Sequence, residues 1–530
     1  MKKNVLALSI AAMIGGLGFA GAASADVVVG TGVLSPTTAV DLVFAEGGIG
    51  HALLVPYFNA QNGNMTVMHV VNTDTSNGKA VKVRFRGALN SDDILDFQVF
   101  MSPGDVWTAA VSAGPDGTAQ IVTSDVSCTL PKLAKGVAQP FVTDRLNPLL
   151  TAADKANNTR EGYVEIFNMA DIPPTLVGTA TANPLYTTIK HVNGVAPCAD
   201  AVLNATLTNY TTETAARDAG FNTPSTGLVG DWYIINVAQT TTFSGGATAI
   251  RAVTTVGGAT DGRGNFVHFP QNANTAAAPD ATTADPLFRI SNVYGASGTA
   301  ASAGTLPKIA AANYDLPDMS TPYTVVGGLA VSPLVQATNL TDALSVMSIN
   351  NQYANDQVIN AKTDWVFSMP TRRYNVAANY SAPTTADSTY RIYTDLNANT
   401  AADERFTIGN TNVVNGAICV NSDGQSFYDR EETSKVSGAV FSPGTVTQTR
   451  FCGETSVLSF ADSGVSVLGG SVARQNVSGV YVNGWSNVNT SNSGRGLPIL
   501  GASFIKLSNP SATAGTSGTY GITWPHRFTR

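Results

Sequence analysis

Oxygen-bearing side chains crowd into one short stretch of this chain, where Asp395, Asn397, Asn399, Asp403 and Glu404 lie close together. Calcium prefers carboxylate and carbonyl oxygens, and an Asp-x-Asn-x-Asn run can turn several of them toward one ion. An EF-hand would need Gly at loop position six and Glu at twelve, where this chain has Thr400 and Phe406. Asp395, Asn397, Asn399 and Asp403 are therefore a calcium candidate of another kind, to be weighed against an Asx-rich surface loop without metal. No other cofactor is expected.

A second cluster is Asp429, Arg430, Glu431 and Glu432. Glycoside hydrolysis needs two carboxyls facing one bond across a cleft. Adjacent residues on a strand point to opposite faces, so this run reads better as an Arg–carboxylate clamp. Arg372 and Arg373 near Trp365 could hold a sugar acid or stack on a sugar. Trp365 and Phe367 alternate, however, as core residues of a strand do, and the arginines then read as structural.

The five histidines, at 51, 69, 191, 268 and 526, are dispersed and show no paired metal-ligand spacing. Gly47, Gly48 and Gly50 lack the following Gly-Lys-Ser/Thr and helix start of a phosphate loop, so they read as a turn before a strand. No GxSxG nucleophile turn stands out. The expectation is a protein without catalytic residues.

Cys128, Cys198, Cys419 and Cys452 are the only cysteines. An even count outside the cytoplasm favours disulfides, and proximity suggests Cys128–Cys198 and Cys419–Cys452, with two other pairings open. The start of the chain supports that compartment. Lys2 and Lys3, an apolar run from Val5 to Phe19 and Ala23-Ser24-Ala25 form a secretory leader pattern over residues 1–25. The expected location is exported, at the cell surface or extracellular, with the periplasm as an alternative.

Hydrophobic residues make up 43% of the chain, enough for a core, while charged residues make up only 13%. A net charge of −7 argues against nucleic acid, which calls for clustered Lys and Arg. Beyond the leader, no apolar run is long enough for a transmembrane helix.

The elements that must position these residues are mainly strands. Val81, Val83 and Phe85 alternate with Lys82, Arg84 and Arg86, predicting a strand with one wet face. Strands are also expected over 65–73, 97–101, 162–169, 232–238, 365–369, 457–460, 479–485 and 502–507. The tracts 239–259, 271–285 and 376–387 read as loops or decorated edges. Short helices are expected over 148–157 and 341–353. The fold class is mainly β, an antiparallel β-sandwich or sandwiches with long irregular loops and few short helices. The organisation expected is a leader at 1–25, an N-terminal arm at 26–46, a sandwich-like domain at 47–127, a β-rich central region at 128–380 and a β-rich C-terminal region at 381–530. The strands are too uneven for the repeated amphipathic segments of an outer-membrane barrel.

VKVRFRG (81–87), REGYVEIFNM (Arg160–Met169), GDWYIINVA (230–238), TDWVFSMPTRRY (Thr363–Tyr374), FYDREE (Phe427–Glu432) and GLPILGASF (496–504) form a series of distinctive islands. Together they resemble a family of poorly characterised exported "cell surface proteins" of Gram-negative bacteria. The resemblance implies location and fold class and brings no catalytic residues. The function expected is a surface structural or matrix protein that self-associates into an oligomer or lattice. The alternatives are an adhesin binding extracellular polysaccharide and, ranked lowest, a polymer hydrolase.

Overall fold

The computed structural model describes residues 26–268, 318–380, 390–394, 405–436, 449–460, 466–477 and 481–530, apart from a few single positions, together with 308–309, 382 and 384–385. Among the described residues strands take up 45% and helices 10%, so the protein is mainly β.

Two antiparallel sheets form the first sandwich. The seven-stranded sheet runs in the order Asp41–Ala45, Thr248–Val253, Ala52–Asn59, Glu161–Ile172, Gly78–Gly87, Asp93–Met101, Cys128–Leu130. The six-stranded sheet runs Gln139–Pro140, Ala119–Val122, Val106–Ala113, Met65–Asn72, Leu228–Asn236, Thr241–Gly246. Strands from residues 47–127 thus share both sheets with strands from 161–172 and 228–253. Val83, Phe85 and Phe97 of one sheet meet Met68, Trp107 and Trp232 of the other in a buried apolar layer. Period-two alternation puts these side chains on the inner faces.

A second pair of sheets follows. One has the order Ser434–Val436, Gly424–Tyr428, Asn483–Asn489, Ser348–Ala354, Arg527–Thr529. Its partner has the order Arg474–Asn476, Thr455–Ser459, Lys362–Ser368, Leu500–Ser508, Thr519–Pro525. This last sheet is covered on both faces. Trp365, Phe367 and Leu458 pack toward its partner sheet, while Val366, Val457 and Phe504 join the apolar layer of the first sandwich. The two halves therefore share a continuous core.

Several sequence expectations change. The face carrying Lys82, Arg84 and Arg86 is not wet, since all three side chains are completely buried. They are matched by acids, among them Asp93, Asp96, Glu165 and Asp318, which let that face be covered. The helix expected over 341–353 lies earlier, at Pro333–Leu344, and Ser348–Ala354 is a strand. Ser332 caps the helix by accepting from Val335 N at 3.2 Å, with Pro333 in its first turn, a start signal outside the expected range. The helix expected from Pro148 begins instead at Ala152, behind the cap residue Thr151. The tract 239–259, expected as loop, supplies the edge strand Thr241–Gly246 and the inner strand Thr248–Val253. The tract 271–285 and the leader 1–25 lie outside the described residues.

Candidate functional site

The sequence candidates separate sharply in space. Both expected disulfides are present, Cys128–Cys198 and Cys419–Cys452. The calcium candidates Asp395, Asn397, Asn399 and Asp403, with Glu404, lie outside the described residues. Among the described residues no cluster of three or more His, Cys, Asp or Glu is arranged to hold a metal ion.

Trp365, Arg372 and Arg373 are fully buried, so they cannot meet a polymer. Arg372 pairs with the buried carboxylate of Glu454, which also accepts from Arg373 N at 3.1 Å. Burial pushes the Glu454 carboxyl above its usual range, against the pull of Arg372. Asp429–Glu432 is not a clamp. Asp429 Oδ1 accepts from the backbone N–H groups of Glu431 (3.0 Å) and Thr433 (2.8 Å), closing a hairpin turn. Arg430, Glu431 and Glu432 are exposed around it.

The ionisable groups of the first sandwich are likewise engaged internally. Arg86 Nε lies 3.4 Å from Glu165 Oε2 and Arg84 Nη1 lies 3.7 Å from Asp93 Oδ2. Asp171 takes Lys79 at 3.0 Å and Arg263 at 2.9 Å. Burial opposes its charge, but these cations hold its carboxyl at about 2. Three histidines are buried and bonded to backbone carbonyls: His51 to Gly262 O (2.8 Å), His268 to Thr206 O (2.7 Å) and His526 to Val366 O (2.9 Å).

Gly47 and Gly48 form the expected turn, with Gly48 N donating to Ala45 O. That turn borders a cavity of about 600 Å³, lined also by Thr73, Asp74, Ser225, Arg251 and Asp261. Its carboxylates are committed to protein partners, Asp261 to Arg251 Nε at 2.6 Å and Asp74 to the N–H groups of Ser76 and Asn77.

The outer face of the Asn483–Asn489 sheet is different. Ser486 and Val488 point inward and are buried, while Trp485, Asn487 and Asn489 point outward. The register extends these into rows across neighbouring strands: Tyr428, Trp485 and Gln352, then Ser426, Asn487, Asn350 and Arg527, then Gly424, Asn489, Ser348 and Thr529. Trp485 stacks on Tyr428 with centroids 4.1 Å apart and planes 9° apart. The indole is still 41% exposed, so the stack leaves a large apolar surface in water. Asn487 Nδ2 donates to Asn350 Oδ1 at 2.8 Å, and the Ser348 and Thr529 hydroxyls lie 2.7 Å apart. Gly484 makes the close approach possible, because a Cβ there would sit 1.8 Å from Tyr428 O.

No family model, curated protein or solved structure matches the chain. The site therefore has to be read from its own chemistry.

Same-face positions are about 6.8 Å apart along a strand and neighbouring strands about 4.8 Å apart. The rows thus form a patch of amides and hydroxyls with an aromatic pair at one end. Each amide offers two donors and an acceptor oxygen, and each hydroxyl both donates and accepts. Such a patch can bind a molecule that presents apolar C–H surface and many neutral hydroxyls. Sequence reading weighed Trp365 and placed it in the core, where it lies, and passed over Trp485. The signal for the exposed tryptophan is NGWSNVN, where Trp and two Asn alternate with Ser and Val.

Proposed function

We propose that this protein is an exported, non-catalytic, polysaccharide-binding protein of the cell surface. The observation that carries the proposal is the exposed Trp485–Tyr428 stack set in a face of Asn, Gln, Ser and Thr. An aromatic face removes the C–H surface of a sugar ring from water, while amides and hydroxyls replace the water bonded to its hydroxyls. The two disulfides fit an oxidising compartment. The leader pattern and the resemblance to exported surface proteins support the same address. Among the described residues, no helix is long and apolar enough to cross a membrane.

Assembly into a lattice through sheet edges has less to build on. Cys128–Leu130, Gln139–Pro140, Ser434–Val436 and Arg527–Thr529 are edge strands of two or three residues, and only Asp41–Ala45, Thr241–Gly246 and Thr519–Pro525 are longer edges of these four sheets among the described residues. Short edges and an edge proline limit strand-to-strand pairing.

Polysaccharide pull-down and calorimetry on the mature protein test the proposal. Wild type binds at least one insoluble or soluble polysaccharide, and Trp485→Ala loses that binding while keeping the wild-type melting temperature and near-UV spectrum. Failure of wild type to bind any member of a broad glycan panel would sink it.

A further inference from the structure

The surroundings of the aromatic pair narrow the ligand class. Tyr428 leads directly into the hairpin turn that carries Asp429, Glu431 and Glu432 against a single Arg430. Glu431 and Glu432 are exposed, and Asp423 lies at the other end of the same strand, bonded to Asn489 at 3.0 Å. The balancing cation on the face, Arg527, belongs to the opposite edge strand. Between these borders the rows contain no ionisable side chain other than the Tyr428 phenol.

We infer that this face selects a neutral glycan over a uronic-acid or sulfated one, a proposal that rests on the polysaccharide-binding role above. The ligand stacks at Trp485 and runs along the strand toward Asn487 and Asn489. The three rows extend about 14 Å in that direction, room for a short oligosaccharide rather than a single ring. Neutral hydroxyls exchange bonds with water for bonds with Asn487, Asn350, Gln352 and Ser348. A carboxylate or sulfate stacked at Trp485 meets the acidic turn beside it, while the basic residue of the rows, Arg527, stands two strands away beyond Asn350. Like charges brought together in partly desolvated surroundings are a penalty that excludes the wrong partner.

Two properties follow. Discrimination is electrostatic and long-ranged, so salt weakens it as the screening length shortens. Affinity for the neutral glycan is set by stacking and hydrogen bonds, so salt barely alters it.

The test compares wild type with the double variant Glu431→Lys/Glu432→Lys, two exposed turn positions away from the aromatic contact. Binding is measured by calorimetry and affinity electrophoresis against a neutral β-linked glucan, a neutral xylan and polygalacturonate, at low and high salt. The expected result is at least about tenfold preference for a neutral polymer at low salt, shrinking severalfold at high salt. The double variant loses most of that preference by gaining polygalacturonate affinity, with neutral binding unchanged. Polygalacturonate binding as tight as neutral binding in wild type overturns the inference and leaves the polysaccharide-binding role standing. So does a preference that the double variant leaves intact. Absence of binding to every polymer, charged or neutral, overturns the role itself.

Discussion

His526 donates its Nε2–H to Val366 O at 2.9 Å, at the corner where the final strand leaves one sheet and enters the other. Its Nδ1 lies 2.9 Å from Asn351 Nδ2 and takes that amide proton, which fixes the neutral tautomer. Thr519–Pro525 pairs in the central sheet and Arg527–Thr529 in the outer one, so one ring ties both sheets of the second sandwich.

Burial lowers the pKa of His526 to about 3, that of His268 to about 4 and, helped by Lys79, that of His51 to about 4. The unfolded value is about 6.5. A depressed folded value means that the unfolded chain takes up protons first. The stability tied to neutral imidazole is therefore complete above about pH 6.5 and is lost as pH falls toward 4 and below. Each pH unit between the unfolded and folded values is worth about 1.4 kcal/mol. Burial raises the carboxyls of Glu161, Asp364 and Glu454, which acts in the opposite sense. Comparison with a variant isolates the histidine. Urea midpoints measured from pH 7 to 4.5 fall less steeply for His526→Gln than for wild type. Equal slopes would exclude His526 as a source of acid sensitivity.

The Lys79–Asp171–Arg263 cluster carries a second prediction. Asp171 and Lys79 are wholly buried, so Asp171→Ala leaves the ammonium with only its longer 4.0 Å contact to Asp74. The cost expected from chemical denaturation is about 3–5 kcal/mol. Lys79→Met/Asp171→Leu removes both charges and recovers most of that loss. A double variant no more stable than Asp171→Ala would show that shape, rather than charge balance, governs this site.

How far the sequence revealed these features depended on whether a pattern was local. Phe97, Trp232 and Trp365 alternate with their neighbours and lie in the core as their strands require. Cysteine proximity was enough to suggest both disulfides. Lys82, Arg84 and Arg86 alternate just as regularly, yet their face is buried. Their partners include Glu165 and Asp318, supplied from far along the chain, and a local period cannot announce such partners. The face around Trp485 is spread in the same way. Tyr428, Trp485 and Gln352 become neighbours only through strand pairing, so no single motif displays them together.

Each disulfide closes a sizeable loop, with sequence separations of 70 and 33 residues. Loop-closure entropy puts each at about 4 kcal/mol of stabilisation through the unfolded chain. Cys419→Ser/Cys452→Ser is therefore expected to lower the denaturation free energy by about that amount. The same loss appears on reducing wild type and is absent on reducing the variant, once Cys128 and Cys198 are also replaced in both. A quadruple variant as stable as wild type would remove the disulfides from the account of stability.

Gly484 allows the presence of Trp485 to be separated from its placement. A methyl group there meets Tyr428 O, so Gly484→Ala must push apart the strands that hold the two rings, at a cost of about 1–3 kcal/mol. Trp485 is still encoded, but the stack at 4.1 Å is broken. The expected outcome is a folded protein with weakened glycan binding and altered tryptophan emission. In the same series, Trp485→Phe keeps part of the affinity because a smaller ring can still stack on Tyr428. Undiminished binding by folded Gly484→Ala, with its tryptophan spectrum changed, would mean that the paired geometry is not what the ligand recognises.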